Sequence, residues 1–421
     1  MCSIGEEDLR ANGDAGSMTP HSLMDTSFCT GVCNKCGQEG EMYKMFYKEP
    51  KCKACFLQYV NHKFRAAVGS SKALPRNANI LLVFDGSAQA VVLLDMLQKA
   101  QTETGFKRLH CDFKILFIDD CALTPRHIRA SNSISYVQKV QELILSYKGP
   151  EAYIINLSCE EHQKPFDIIN LGSYLSRGTD REIVFTNTLL NIRSSTSRSE
   201  LIKVHRNKLI ASVAQGLNCK YVFIPSINVN IAADLLAGIV LGRGNDAALD
   251  VAFLDDRMGN GVKFMRPIKD LSEREVMLYM HAKGLKPIKT PFNSQSNSGA
   301  SLQNVTELFI QNLQKNYDST VSTIFRTGCK IASNSYTRPD EKELSNKIEG
   351  CNSRFDLCRF CNSLIAEKSS TLLAVEYSRL VSKGVTSSSD LKTFFDMDSE
   401  QKESLCHSCN NIQRDCDLKL I

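Results

Sequence analysis

Short apolar runs alternate with segments of helical periodicity from Asn79 onward. A continuous run such as 80–84 (ILLVF) is typical of a strand buried on both faces, whereas apolar residues three and four apart indicate a helix. The pattern predicts strands at 80–84, 113–118, 153–157, 221–224 and 264–268. It predicts helices at 88–99, 134–147, 201–215, 231–241 and 272–281.

This alternation predicts an α/β fold with a doubly wound parallel sheet, which binds ligands at the carboxyl ends of its strands. The segment 172–199 fits the alternation poorly, so we expect an insertion or a mobile loop there. Residues 1–28 are small and polar and are predicted to form a disordered leader. A cysteine-rich segment at 29–68 precedes the α/β domain at 79–290, and a helical, cysteine-rich region covers 300–421.

The composition favours an intracellular protein. No run of ~18 uncharged apolar residues occurs in the 421 residues, so we predict no contact with a membrane. The first residues lack the basic and apolar regions of a signal peptide, and we expect a cytoplasmic location. In a reducing compartment, metal binding explains paired members of the 17 cysteines better than disulfides do. The net charge of +5 is compatible with RNA binding but does not establish it.

Two CxxC pairs lie in the N-terminal cysteine-rich segment: Cys33 with Cys36, and Cys52 with Cys55. A tetrahedral zinc ion takes four such thiolates, and this spacing is typical of a zinc ribbon. Gly37 suits the tight turn that directs the first two thiolates to one ion. The alternative is a set of free cysteines in a core. We predict a zinc ribbon at 29–68.

Two further CxxC pairs lie near the C-terminus: Cys358 with Cys361, and Cys406 with Cys409. Pairs this far apart can meet, since the entropy cost of closing a loop grows slowly with its length. We predict a second zinc site here, for which Cys351, His407 and Cys416 are competing ligands. Structural zinc stabilises folding and does not by itself imply catalysis.

The first predicted strand of the α/β domain leads into Asp85, Gly86 and Ser87, just ahead of a helix. Loops in this place hold phosphate groups in many α/β proteins, because the N-terminus of the helix attracts anions. The loop lacks the lysine of a P-loop, and it is not the glycine-rich loop of a dinucleotide-binding fold.

The same loop resembles the pyrophosphatase loop of the PP-loop ATPases, which adenylate a carbonyl oxygen before replacing it. That loop reads Ser-Gly-Gly-x-Asp-Ser, and here Gly86 keeps one glycine while Asp85, Ser87, Gln89 and Ala90 replace the other specified residues. Asp85 brings a carboxylate to a place where an anion would bind. We therefore expect a degenerate loop without ATPase activity.

The order of the features resembles the cytoplasmic tRNA 2-thiolation protein 2 family. These features are the N-terminal CxxC pairs, the segment 59–66 (YVNHKFRA), the degenerate loop and the C-terminal CxxC pairs. The resemblance implies a PP-loop (HUP-like) fold and a non-catalytic subunit that pairs with a catalytic PP-loop paralogue. It also implies that the pair makes 2-thiouridine at wobble position U34 of the tRNAs for Lys, Glu and Gln. The sulfur would come from a thiocarboxylated ubiquitin-like carrier, bound directly or through the paralogue.

Two further patterns support a loss of catalytic groups. The segment 224–234 (IPSINVNIAAD) matches a His-Asn-Asp-Asp type segment of active relatives but contains no histidine. Four single cysteines near the predicted strands are interpreted as small buried apolar residues. They are Cys111, Cys121, Cys159 and Cys219.

Basic residues between the ribbon and the first strand of the α/β domain are candidate RNA contacts, with Tyr59 and Phe64 interleaved. They are Lys63, Arg65, Lys72 and Arg76. Lysine and arginine neutralise phosphates and aromatic rings stack on unpaired bases, but a solvated linker is an equally good interpretation.

Two other functions remain open from the sequence. One is an active ATP-dependent tRNA thiolase with an atypical PP-loop. The other is a zinc-dependent RNA-binding scaffold whose α/β domain has taken another use.

Overall fold

A computed structural model provides the fold of this chain. It describes residues 28–45, 48–70, 73–103, 108–123, 126–147, 149–176, 179–244, 246–259, 261–288, 301–316, 318–335, 358–363 and 405–415. The leader predicted at 1–28 lies outside these residues except for Phe28. The predicted domain boundaries stay predictions.

The described part of the chain forms ten strands and twelve α-helices. The strands are β1 (Phe28–Val32), β2 (Glu39–Tyr43), β3 (Lys51–Cys52), β4 (Ala78–Phe84), β5 (Cys111–Asp119), β6 (Ala152–Asn156), β7 (Phe166–Asp167), β8 (Tyr221–Phe223), β9 (Leu254–Asp255) and β10 (Lys263–Met265). The helices are α1 (Lys53–Ser70), α2 (Ala88–Thr102), α3 (Arg126–Ser146), α4 (Leu171–Leu175), α5 (Asp180–Asn191), α6 (Ser195–Gly216), α7 (Asn228–Val240), α8 (Asp246–Asp250), α9 (Glu273–Lys283), α10 (Leu302–Asn316), α11 (Asp318–Ser335) and α12 (His407–Asp415).

Within the described residues, the central sheet has seven strands in the order β7-β6-β5-β4-β8-β10-β9. The five inner strands run parallel, whereas β7 and β9 pair antiparallel at the edges. The strand order reverses between β4 and β8, and in open α/β sheets ligands bind in the crevice at such a point. The predicted α/β fold with a parallel sheet is confirmed.

Both faces of β4 are buried, which accounts for its uninterrupted apolar sequence. Ile80, Leu82 and Phe84 belong to one core cluster, while Leu81 belongs to a second cluster on the opposite face. Successive side chains of a strand point to opposite faces, so a strand between two helical layers needs an apolar residue at every position. The apolar run in β4 and its central place in the sheet therefore both reflect the burial of the two faces of this strand.

Two smaller units pack against this α/β core. Strands β1, β2 and β3 form an antiparallel sheet, which continues directly into α1. Helix α1 contacts α9, so the N-terminal unit joins the sheet through that helix. At the other end of the chain, α10 and α11 both pack on α7. The N-terminal and C-terminal units therefore both contact elements that follow β8 and β10.

The segment 172–199 contains most of α4, all of α5 and the first turn of α6, so the expectation of a mobile loop was wrong. The insertion, its alternative, stays a prediction. Helix α5 was missed because its apolar residues do not all lie on its buried face. Its buried positions are Glu182 and Leu189, and Val184 and Leu190 face solvent. A helix that buries a hydrogen-bonded carboxylate does not show the apolar stripe from which amphipathic helices are predicted.

None of the helices in the described residues is long and apolar enough to cross a membrane.

Close packing of α7 against α8 predicts a sensitive glycine at Gly238. A Cβ at this position would lie 2.9 Å from the Cβ of Ala247 and 3.4 Å from its Cα. We expect Gly238→Ala to lower the free energy of unfolding by about 1–3 kcal/mol, because overpacking outweighs the gain in helix propensity.

Gly172→Ala is the matched control, since a Cβ at Gly172 would meet no heavy atom within 4 Å. This control should be neutral or stabilising by up to ~1 kcal/mol. Chemical denaturation of the two variants measures the difference, and equal stabilities would contradict the packing of α7 on α8.

Candidate functional site

The N-terminal CxxC pairs converge on one point between β1 and α1. Their four Sγ atoms lie within 4.8 Å of one another, and those of Cys36 and Cys52 are 3.5 Å apart. The first pair lies in a tight turn, in which the Gly37 N–H donates to the Cys33 carbonyl at 2.7 Å. Gly37 has φ +71°, a conformation that glycine adopts without steric cost. The turn predicted after the first pair is confirmed.

Two of these thiols have opposite pKa shifts. Backbone N–H donors, that of Cys52 foremost, lower the pKa of Cys33 to about 6. Burial raises the pKa of Cys55 to about 12. Without a cation, Cys33 therefore gives up its proton more readily than Cys55 does. A bound divalent cation would deprotonate the remaining thiols, as metal binding by cysteine does.

The C-terminal CxxC pairs also converge. The Sγ atoms of Cys358, Cys361, Cys406 and Cys409 lie within 4.8 Å of one another. In the first turn the Asn362 N–H donates to the Cys358 carbonyl at 2.8 Å, as Gly37 does in the N-terminal cluster. Of the competing ligands, Cys351, Cys416 and the side chain of His407 lie outside the described residues.

The C-terminal cluster fixes α12 against α5 and α6. Ile412 is buried against Leu189 and Ile192, and the Ser197 hydroxyl donates to the Asp415 carboxylate. The Nζ of Lys208 lies 5.2 Å from the ring centroid of Phe360, in the turn between two of the cysteines. The cluster therefore attaches α12 to α5 and α6, and α6 packs on the face of the sheet that carries Leu81.

The spread of the sulfur atoms indicates one metal ion at each cluster. Four thiolates at ~2.3 Å from a tetrahedral zinc ion stand about 3.8 Å apart, which matches groups confined within 4.8 Å. A four-iron cluster needs a wider cage, because each cysteine ligates a separate corner. Both sites fit a mononuclear ion of soft ligand preference.

In the loop after β4, backbone N–H groups donate to side chains of the loop itself. The Ser87 N–H donates to Oδ1 of Asp85 at 3.0 Å, and the Ala90 N–H donates to the Ser87 hydroxyl at 3.3 Å. Ser87 is thus the N-cap of α2. These backbone donors at a helix start are the groups that would otherwise hold a phosphate.

The same loop is covered from outside. The Tyr136 hydroxyl donates to the Asp85 carbonyl at 2.7 Å, and the Ile288 N–H donates to the Gly86 carbonyl at 2.9 Å. A Cβ at Gly86, which has φ +75°, would lie 3.3 Å from both the Ile288 Cβ and the Tyr136 hydroxyl oxygen. Tyr136 and Ile288 therefore pack closely against Gly86.

The segment that matches the His-Asn-Asp-Asp type motif also has structural partners. Oδ1 of Asn230 accepts from the Ile227 N–H at the start of α7. Asp234 pairs with Lys203 at 3.4 Å. Asn228, at the start of α7, lines a cavity.

A buried polar network at the carboxyl ends of β5 and β6 was not found from the sequence. Oδ2 of Asp119 accepts from the Tyr174 hydroxyl at 2.6 Å, and Nδ2 of Asn156 donates to Glu182 at 2.9 Å. Asp119, Asn156 and Glu182 are at most 6% exposed. The network joins α4 and α5 to the sheet, and its partners are too distant in sequence to produce a local motif.

The predicted RNA contacts have different environments. Lys63 forms a salt bridge with Glu275 at 2.7 Å and also donates to the Asp270 carbonyl at 2.9 Å, while Arg65 pairs with Glu103. Arg76 is exposed, and Lys72 lies outside the described residues. Contact with RNA stays a prediction for all four residues.

Comparisons with known proteins point to one family. The family model described as cytoplasmic tRNA 2-thiolation protein 2 matches residues 301–411. Proteins of that name from Drosophila simulans and Drosophila melanogaster are each 41% identical to this chain over 428 residues, with 99% of this chain and 99% of each relative covered. The relative from Drosophila pseudoobscura pseudoobscura is 42% identical, with 98% of each chain covered.

A solved structure has a similar fold. It is the U34-tRNA thiolase NcsA from Methanococcus maripaludis with its [4Fe-4S] cluster, with a TM-score of 0.52 and 18% sequence identity. The match covers 79% of this chain and 96% of that chain. In the described residues of the present chain, only the two four-cysteine clusters bring three or more potential metal ligands together. The four single cysteines are all buried. Cys121 departs from the interpretation as an apolar residue, because its thiol donates to Glu182 at 3.6 Å and accepts from Asn156 at 3.2 Å.

The geometry of the clusters predicts two metal ions per chain. Metal analysis of the purified full-length protein should give about two ions per chain, and Cys33→Ser and Cys358→Ser should each lose about one. Cys219→Ser is the control, since this buried cysteine lies in neither cluster and should leave the metal content unchanged. A single ion in the wild type, or four irons with inorganic sulfide, would contradict the assignment.

Proposed function

Because the chain belongs to the cytoplasmic tRNA 2-thiolation protein 2 family, we propose that it is the non-catalytic subunit of a cytoplasmic complex that replaces the 2-oxygen of wobble uridine U34 with sulfur. The substrates are the tRNAs for Lys, Glu and Gln, as the sequence resemblance implies. The loop after β4 carries the proposal, because the Asp85 carboxylate accepts from the Ser87 N–H, while the Tyr136 hydroxyl and the Ile288 N–H donate to the carbonyls of the loop.

Thiolation by this chemistry needs ATP to activate the uridine oxygen, so a second subunit must supply an intact PP-loop. We assign that role to a catalytic PP-loop paralogue in a heterodimer. The sulfur comes from a thiocarboxylated ubiquitin-like carrier, which reaches the site directly or through the paralogue. This chain contributes tRNA binding and shapes its partner.

Zinc is the ion that the two clusters fit best. Four cysteine thiolates per site are a soft donor set, and a closed tetrahedral site leaves no open position for a substrate. The N-terminal ion holds the turn after β1 to α1, and the C-terminal ion holds α12 on α6. Both roles are structural, with Cys33, Cys36, Cys52 and Cys55 at one site and Cys358, Cys361, Cys406 and Cys409 at the other.

A test in cells separates this function from the RNA-binding scaffold. Deletion of the protein should abolish wobble-uridine 2-thiolation, read as a loss of the mobility shift of tRNA in mercury-containing gels. Wild type and Asp85→Ala should restore the shift, because the loop needs no anion chemistry. Cys33→Ser should fail to restore it, and Cys219→Ser should succeed as the matched cysteine control.

Unchanged thiolation in the deletion would overturn the assignment and favour the scaffold. Failure of Asp85→Ala at a normal protein level would indicate that the loop takes part in the reaction.

A test in vitro separates the proposal from an active thiolase. The purified chain alone should form no AMP from ATP in the presence of unmodified tRNA, and addition of the paralogue should produce AMP. Turnover by the chain alone, abolished by Gly86→Val and kept by Gly172→Ala, would contradict the non-catalytic role.

A further inference from the structure

A cavity of about 480 Å³ lies where the N-terminal unit, the α/β core and the C-terminal helices meet. Met45 and Lys48 lie between β2 and β3 of the ribbon sheet, Asn228 begins α7, and Gln314 and Arg326 belong to α10 and α11. None of the residues of the loop after β4 lines it. Its volume falls within the range of small-molecule sites, roughly 300–1,000 Å³.

The charge of the cavity is unevenly compensated. Four cationic side chains line it, with only Asp270 and Glu275 as acids. The cations are Lys48, Lys63, Arg274 and Arg326. The Glu275 carboxylate is already engaged by the Lys63 ammonium, the Tyr59 hydroxyl and the Ser272 N–H. Little of its acceptor capacity is left for a further cation.

Lys48 shows the effect of this imbalance. Its ammonium lies 4.4 Å from the ring centroid of Tyr59, and partial burial together with the charges of Lys63 and Arg326 lowers its pKa. Lys48 and Arg326 are exposed residues, and the Lys48 ammonium also donates to the Tyr59 hydroxyl. An anion between them would relieve the repulsion.

Two buried hydrogen-bond acceptors also belong to residues that line the cavity. Oδ1 of Asn228 and Oε1 of Gln314 are buried and receive no hydrogen bond from the described residues. A buried acceptor without a partner costs free energy, which a ligand with N–H or O–H groups would recover. The buried side chains of Met45 and Phe325 add apolar walls.

We propose that this cavity binds a nucleotide, whose phosphate lies between Lys48 and Arg326 and whose ribose or base donates to Asn228 and Gln314. The combination of cationic side chains, buried acceptors and an aromatic wall matches the parts of a nucleoside monophosphate. Two ligands offer these groups: a free mononucleotide and one nucleotide of an RNA strand. The site is independent of the thiolation role.

Binding to the purified, metal-loaded full-length chain tests the site. The probes are adenosine and uridine 5′-monophosphate, inorganic phosphate and a single-stranded RNA hexamer, each titrated by calorimetry. A mononucleotide or the hexamer should bind more tightly than phosphate. Lys48→Gln and Arg326→Gln should each weaken that binding about tenfold, as loss of a charge-assisted phosphate contact does.

Gln314→Leu should weaken nucleotide binding and leave the unfolding temperature unchanged or higher, because it removes an unpartnered buried acceptor. Lys48→Arg should keep most of the affinity. Lys44→Gln is the charge-matched control, since Lys44 is exposed on the same N-terminal unit and does not line the cavity.

Binding of mononucleotides supports a free nucleotide as the source, and binding of the hexamer alone supports an RNA strand. Three results overturn the proposal. Neither the mononucleotides nor the hexamer bind, phosphate binds as tightly as the nucleotides, or the cavity variants bind nucleotide with the same affinity as Lys44→Gln. These outcomes do not depend on thiolation. Failure of the nucleotide site leaves the proposed function intact, and failure of the proposed function leaves the nucleotide site intact.

Discussion

Four cysteine sulfur atoms held within 4.8 Å of one another, at each of two sites, are the constraint on which the ribbon and the attachment of α12 depend. At the N-terminal site, Cys33, Met42, Cys52 and Cys55 form a small core cluster of their own, while Tyr43, Phe56 and Phe64 of the same unit belong to the main core. Four thiolates at that distance repel unless a cation lies between them. A metal ion bound there would therefore add to the folding free energy of the ribbon, and to that of the attachment of α12 to α6.

Glu275 connects α1, which follows the ribbon sheet, to α9. Its carboxylate closes the capping box of α9 and accepts from Lys63 and Tyr59 of α1. Because its side chain is only 7% exposed, removing Lys63 would leave a buried carboxylate with fewer donors, which costs more than the pair itself contributes. Lys63 thus has a structural role that the sequence did not indicate. Its salt bridge also forms one wall of the cavity.

Patterns within short segments of the sequence were sufficient to predict part of this structure. The burial of β4 on both faces produces its apolar run, and a tetrahedral metal site requires cysteines in close pairs, so both features show in short segments. The network of Asp119 and Tyr174 could not be predicted, because two residues far apart in sequence meet only in the folded chain. The cavity was missed for the same reason. Its walls come from the N-terminal unit, the start of α7 and the two C-terminal helices, and none of these segments carries a nucleotide motif.

The loop after β4 is held in place by its own side chains. At the start of a helix that binds phosphate, several backbone N–H groups have no partner until the ligand arrives, which destabilises the unliganded protein. In this chain the side chains of Asp85 and Ser87 accept from backbone N–H groups at the start of α2. Capping of this kind contributes about 0.5–2 kcal/mol to a helix. Asp85 and Ser87 therefore stabilise the start of α2 without a ligand, and α2 packs directly against the sheet and α9. The loop thus keeps its place through its own capping contacts, and the strand order that places it remains necessary for the core.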